Sequence, residues 1–163
     1  MVKKKNGFTL IELLTVVALL GILSLGLPKM INEIYKFYKI NTVTLELQQE
    51  SRILMDFISK DLRQAKNSTI TIDSLSGQPY YSRINFVTID NSSVTYYQNG
   101  RNITRIKNIY TKIMTKNLRY VAFAFPQSYD MALISVSFTL EQNLYDLQSK
   151  ALHMASEKVR VMN

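Results

Sequence analysis

The sequence predicts an α+β chain: one long N-terminal helix followed by antiparallel strands, with the second half of the helix as their cover. Three observations lead there. Apolar residues fill Phe8 to Leu27 almost without interruption, and from Ile34 onward they recur at Ile40, Val43, Leu47, Leu54, Ile58, Leu62 and Ala65, on one helical face. After Asn67 the period changes from helical to two. Short polar connections then join the apolar segments, which favours antiparallel pairing, and a sheet with one apolar face needs a covering layer.

The helix is expected from about Phe8 to Lys66. Its first 20 residues, Phe8–Leu27, would reach ~30 Å at ~1.5 Å per residue, the thickness of a bilayer's hydrocarbon core. Thr9, Glu12, Thr15, Gly21, Ser24 and Gly26 dilute that span. The dilution suits an anchor that is later withdrawn from lipid into a protein assembly. Lys3, Lys4 and Lys5 precede the span and only Lys29 directly follows it, so the positive-inside rule keeps the N-terminus cytoplasmic and exports the rest. Tyr35, Phe37 and Tyr38 with Lys36 and Lys39 read as an aromatic and basic belt at the outer interface. Pro28 lacks an N–H and clashes with the preceding turn, which predicts a kink that the helix survives.

A secretory signal peptide is also basic and then apolar, but it is cut after its apolar part. Here the small residue suited to a cut, Gly7, lies before it, so the apolar helix would remain in the product. Glu12 is the exceptional residue of that helix. A carboxylate inside a membrane costs on the order of 3 kcal/mol on insertion scales and usually marks function. Either it stays hydrated near the interface or it needs a cation. Cleavage after Gly7 would create one, the α-ammonium of Phe8, on the same helix or on a neighbour.

The run Gly7, Phe8, Thr9, Leu10, Ile11, Glu12 behind a short basic leader resembles the type III signal of type IV pilins and pseudopilins. The resemblance implies the type IV pilin fold and cleavage between Gly7 and Phe8 by a prepilin peptidase. It also implies N-methylation of Phe8 and use of the helix first as anchor and then as filament core. In that family the equivalent glutamate neutralises the N-terminus of the next subunit, which supports the intermolecular role for Glu12. Implied partners are the peptidase, other pilin or pseudopilin subunits, an inner-membrane assembly platform and, before assembly, membrane lipid. The implied parts are a leader 1–7, an anchor and assembly helix 8–28, its amphipathic continuation 29–66 and an exported sheet domain 67–163.

Late in the helix, Asp56 and Lys60 form an i,i+4 pair worth a few tenths of a kcal/mol, and Asp61 and Arg63 read with them as a solvated face. The string Lys60-Asp61-Leu62-Arg63-Gln64-Ala65 resembles a signature of PilW-type minor pilins and J-type minor pseudopilins, as does the tyrosine, Asn-Gly and arginine run from Tyr96 to Arg105. Strands are expected at Thr69–Ile72, Ile84–Ile89, Val94–Gln98, Asn102–Ile106, Asn117–Phe125, Met131–Glu141 and Ala151–Val161, with Leu144–Lys150 ambiguous. Asp90-Asn91-Ser92-Ser93 reads as a turn. Asn99-Gly100 reads as a type I′ hairpin turn, in which both central residues need positive φ.

Composition limits the chemistry. The chain has 163 residues, no cysteine and one histidine, so disulfides, thiolate metal sites and a Cys–His nucleophile are excluded. His153 reads as structural. Gly77 and Gly100 are isolated turn glycines and form no phosphate loop. Asp56, Asp61, Asp73 and Asp90 lack the spacing of a calcium loop. No cofactor, metal or catalytic residue is expected. The net charge is +8, and losing the three leader lysines would leave about +5. A basic exported domain can meet nucleic acid, acidic wall polymer or anionic lipid, though a solvated basic surface explains the charge as well. Arg83, Tyr96, Tyr97, Arg101 and Arg105, with Tyr80 and Tyr81, are the candidate stacking and phosphate contacts if the partner is DNA, as in a competence tip subunit.

Overall fold

A computed structural model describes residues 7–127, 129–144 and 149–162. The lysines of the expected leader lie outside the described residues. The chain divides into two compact units, Met1–Asn41 and Thr42–Asn163. The division falls inside the expected segment 29–66, because the last turns of the helix have a sheet to pack on and the earlier ones do not.

Helix α1 spans Leu10–Arg63. In the first unit it is a bare helix, exposed at every described position up to Tyr38. It runs through Pro28 as one element, and Pro28 offers no N–H to the Ser24 carbonyl four residues back.

In the second unit the amphipathic pattern is realised. Leu47, Ile58 and Leu62 are fully buried, as are Leu54 and the post-helical Ala65 to within a percent, while Val43 is half-buried and Ile40 exposed. They pack on two antiparallel sheets rather than the single sheet expected. Strands β1 (Thr71–Asp73), β2 (Arg83–Val87), β3 (Ser93–Asn99), β4 (Asn102–Lys107) and β5 (Tyr110–Thr115) form the first, in that order. Strands β6 (Leu118–Ala124), β7 (Leu133–Asn143) and β8 (Lys150–Arg160) form the second. Tyr96, Phe86, Phe123 and Phe138 are the bulkiest side chains of the shared core.

Several local expectations shift. Helix α1 ends at Arg63 rather than Lys66, since Gln64 and Ala65 already reach toward the first sheet. Ile89 N–H donates to the Gln64 carbonyl at 3.0 Å and Lys66 N–H to the Val87 carbonyl at 2.8 Å. A single 3-10 turn, Asn67–Thr69, precedes β1. Strand β5 is an addition to the expected set: its first four residues are all exposed, so no alternation marks it. The β3–β4 hairpin forms, but its loop is Gly100-Arg101, closed by Asn99 opposite Asn102. Gly100 alone has positive φ there, at 59°. That is the φ pattern of a II′ turn rather than I′, because placing the glycine first leaves only one central residue needing the left-handed region. In the expected turn before β3, Asn91 takes φ 58°, which asparagine tolerates.

Asp61 corrects another reading. It is not on a solvated face but 9% exposed. Its Oδ2 accepts from Tyr96 Oη at 2.6 Å and Arg105 Nε at 2.7 Å. Tyr96 and Arg105 sit directly opposite each other on β3 and β4, so one carboxylate ties α1 to the centre of the first sheet. Burial, then the Asp61 carboxylate, pushes the Tyr96 hydroxyl far above its ordinary pKa, and the hydrogen bond to Asp61 raises that of Arg105. Tyr96 therefore stays a donor and Arg105 a cation at any working pH.

Candidate functional site

The N-terminal unit is built from a few local bonds. Thr9 is the N-cap of α1: its carbonyl accepts the Leu13 N–H at 3.2 Å and its Oγ1 lies 3.4 Å from the Glu12 N–H. Glu12 reaches back, its Oε2 accepting from Thr9 N–H at 3.0 Å and from Thr9 Oγ1 at 2.9 Å. Thr9-Leu10-Ile11-Glu12 is thus a capping box, Thr-x-x-Glu, in which two orphan backbone donors are satisfied reciprocally. The helix begins at Leu10 rather than Phe8 because the threonine side chain offers the first turn a better acceptor than continued helix can. The sequence carries this signal in plain form, and reading Glu12 as a charge alone misses it.

The capping box also fixes where the described chain ahead of the helix is open. Gly7 and Phe8 lie outside the helix, both exposed, with nothing within 4 Å of the position a Cβ on Gly7 would take. The Gly7–Phe8 peptide bond is therefore in open chain, one residue before the cap, where a protease can bind it extended. Cutting there leaves the Thr9 N–H in place, so the cap survives. Only one oxygen of Glu12 serves the box. Its Oε1 makes no hydrogen bond among the described residues, and can take a second donor.

The rest of this unit is a surface in want of a covering. Every large apolar side chain from Phe8 to Leu27 is at least 50% exposed. The helix is long and apolar enough to cross a membrane, lies near the N-terminus and buries none of its apolar window in the protein itself. Beyond it Tyr35, Phe37 and Tyr38 are exposed, and Lys39 Nζ stands 5.9 Å from the centre of the Tyr35 ring. Thr15 and Ser24 spend their hydroxyls on carbonyls of the preceding turn, Thr15 on Ile11 and Glu12, Ser24 on Leu20 and Gly21. They dilute the apolar surface without presenting unsatisfied hydroxyls to it.

The candidate nucleic-acid contacts do not come together as one platform. Tyr96 is completely buried and cannot stack on a base, a correction that follows from β3 alternation: Val94, Tyr96 and Gln98 face inward, while Tyr97 is half-buried on the other side. Arg105 is held by Asp61 and has a 20% exposed side chain. Arg83 pairs with Asp73 through both Nε and Nη2. Arg101 is half exposed and points its guanidinium at Glu141, whose carbonyl it contacts at 2.7 Å. Tyr80 and Tyr81 are exposed in the loop before β2. His153 lies half-buried on β8.

Two acids hold these surface arginines. Arg83 keeps the Asp73 carboxyl below its ordinary pKa, and Lys150, at 2.9 Å, does most to lower that of Glu141, with Arg119 and Arg101 adding to it. A depressed folded-state pKa stabilises above the unfolded value, and that contribution disappears as pH falls through the folded one. The second unit is therefore expected to hold its melting temperature down to about pH 4.5 and to lose it progressively below. Raising salt to about 1 M should flatten the slope by screening the exposed partners. Melting curves between about pH 7 and pH 2 check both expectations, and a midpoint indifferent to pH would contradict them.

Residues 2–28 match the family model described as the prokaryotic N-terminal methylation motif. No curated protein and no solved structure matches the chain.

Proposed function

We propose that this chain is the precursor of a non-catalytic, pilin-like structural subunit, matured by cleavage between Gly7 and Phe8 and N-methylation of Phe8, then packed through its N-terminal helix into a filament. The observation that carries the reading is the methylation motif at residues 2–28, joined to a helix that leaves its whole apolar surface from Phe8 to Leu27 uncovered. Lipid covers that surface first, and the helices of neighbouring subunits cover it afterwards. The three leader lysines hold the N-terminus in the cytoplasm while the β-rich unit is exported. The α+β architecture, a long N-terminal helix packed at its far end on antiparallel sheets, is consistent with the type IV pilin fold.

Glu12 contributes twice. One carboxylate oxygen caps its own helix. The other receives the Phe8 ammonium of an adjacent subunit and sets the axial stagger between them. Pro28, which interrupts the hydrogen-bond ladder at the Ser24 carbonyl, is where the helix bends on assembly. Within this class we assign the chain to the minor subunits of PilW or J type, on the Asp61-Leu62-Arg63 string and the Tyr96 to Arg105 hairpin. Both motifs fall at the Asp61–Tyr96–Arg105 contact, which gives them a physical role in joining helix to sheet.

Intact-mass measurement of the chain from cells that make a prepilin peptidase tests the reading. The expected product begins at Phe8 and is one methyl group heavier than the bare polypeptide. Gly7→Val should leave the leader attached and the N-terminus unmethylated, with the protein still in the membrane. A mature chain beginning beyond Leu27, or a wild-type chain that keeps its lysines beside an active peptidase, would sink the proposal.

A further inference from the structure

The two sheets have four edges, and three are managed. Strand β1 is only three residues long. The β4–β5 ladder is broken by a register shift at Ile103 and Thr104. The outer edge of β6 is occupied: Leu118 N–H donates to the Arg101 carbonyl at 2.8 Å, Phe123 N–H to the Tyr81 carbonyl at 2.9 Å and Val121 N–H to Gln98 Oε1 at 3.2 Å. Tyr81 holds a φ of 61° there, a strained conformation for a bulky residue that persists where surrounding structure enforces it.

Strand β8 is different. It has 11 residues and pairs with β7 at every one of them, Lys150 opposite Asn143 through Arg160 opposite Leu133, with no bulge. Its outer edge has no backbone partner among the described residues. At ~3.3 Å per residue that is an open edge of roughly 35 Å. Short edges, bulges, covering segments and charged side chains are the usual protections; β8 has only the last, in Lys150, Glu157, Lys158 and Arg160, and a long regular edge is a template for a strand that can match that charge.

A groove of about 890 Å³ runs along this edge between α1 and β8. Ser51, Met55 and Ser59 line its helix side, and His153, Ala155 and Glu157 its strand side. Ser59 is 5% exposed, and its Oγ is buried with no hydrogen-bond partner. A hydroxyl taken from water and given nothing in return is unfavourable, so Ser59, which lines the groove, would gain from a partner reached by turning its side chain toward it. On the strand side, Ala151 and Val159 are buried but the residues between them are only half-buried. The two ends of this face are buried and its middle is open to the groove.

The charge of β8 selects the occupant. Lys150, Lys158 and Arg160 are exposed on its other face, with Leu152 and Met154 between them at 50% and 69% exposure. Lys158 makes no ion pair among the described residues. Lys150 shares the single acid Glu141 with Arg101 and Arg119, a local excess of positive charge. Arg160 pairs with Asp130 at 3.7 Å, and a second copy in antiparallel pairing centred on Ala155 would set Lys158 against Leu152, leaving its charge without an acid.

We propose that β8 accepts an extended acidic segment of a different polypeptide as a fourth strand, seated in the groove between α1 and β8. Its backbone would meet the open edge, a polar side chain on the helix side would satisfy Ser59, and acidic and apolar side chains on the other face would meet Lys158, Leu152 and Met154. The inference rests on the second unit alone and holds whether or not Gly7–Phe8 is ever cut.

Hydrogen exchange on the full chain in detergent tests it, with a synthetic peptide alternating threonine with glutamate and valine as the probe and its lysine-for-glutamate version as the control. The acidic probe should slow amide exchange across Lys150–Arg160 and around Ser59 by at least about fivefold, while the lysine version leaves it unchanged. Lys158→Glu, at an exposed position, should reverse that preference. Protection, without any peptide, of those β8 amides that do not bond to β7, equal protection by both peptides, or protection that grows with protein concentration alone would each overturn the proposal.

Discussion

Replacing Asp61 with alanine is expected to destabilise the second unit by about 3–5 kcal/mol, because it leaves the Arg105 guanidinium buried without a counter-charge and the Tyr96 hydroxyl without an acceptor. Only 13% of the Asp61 side chain and 20% of the Arg105 side chain are exposed, so solvent cannot take the place of the lost partner. For a unit of this size the loss should lower the melting temperature by roughly 10–20 °C. Asp61→Asn keeps an acceptor for Tyr96 Oη and loses only the charge, so it should fall between alanine and wild type. Tyr96→Phe removes one hydrogen bond and leaves the ion pair, and should cost about 1 kcal/mol. Thermal melts of the full chain in detergent, followed by near-ultraviolet circular dichroism of the tyrosines, give the order. If Asp61→Ala costs less than Tyr96→Phe, the carboxylate is not what ties helix to sheet.

Replacing Glu12 is expected to lower incorporation into filaments by more than about tenfold while membrane insertion and cleavage continue, since a tenfold loss needs only about 1.4 kcal/mol. Two effects contribute, and variants at Thr9 and Glu12 separate them. Losing the capping box costs about 1 kcal/mol of local helix stability. Leaving the Phe8 ammonium unpaired in a closed helix bundle costs about 3–5 kcal/mol. Glu12→Gln keeps an oxygen for the Thr9 N–H and gives up the charge, whereas Glu12→Ala gives up both. Loss of the charge outweighs loss of the cap, so glutamine and alanine should both fail, and Thr9→Ala, which removes only the cap side chain, should be mild. The measurement is the ratio of sheared filament protein to total membrane protein for each variant. Full recovery with Glu12→Gln would assign Glu12 to helix capping alone and remove its part in subunit packing.

Much of this architecture is legible in the residues, and where it is not there is a reason in each case. The helical stripe from Leu47 to Ala65 can be read because a core contact every third or fourth residue leaves a periodic trace. Strands β2, β3 and β7 can be read because one face is buried and one is not. Strand β5 cannot, since a strand exposed along most of its length has no reason to alternate. Asp61 is harder still, although it lies three residues after Ile58 and four before Ala65, on the flank of the buried stripe. Its local charge neighbours point to solvent, and the arginine that neutralises it is 44 positions away.

Near neighbours along the chain suffice to define the N-terminal unit. The Gly7–Phe8 junction, the Thr9–Glu12 cap and the apolar stretch to Leu27 are consecutive, and interactions within a few residues decide them. Long-range packing was needed to divide the strands into two sheets, to make Tyr96 a buried donor rather than a stacking surface, and to leave the β8 edge open. Those outcomes depend on which distant segments pair, and pairing is settled by how the chain fills one core against a single helix face.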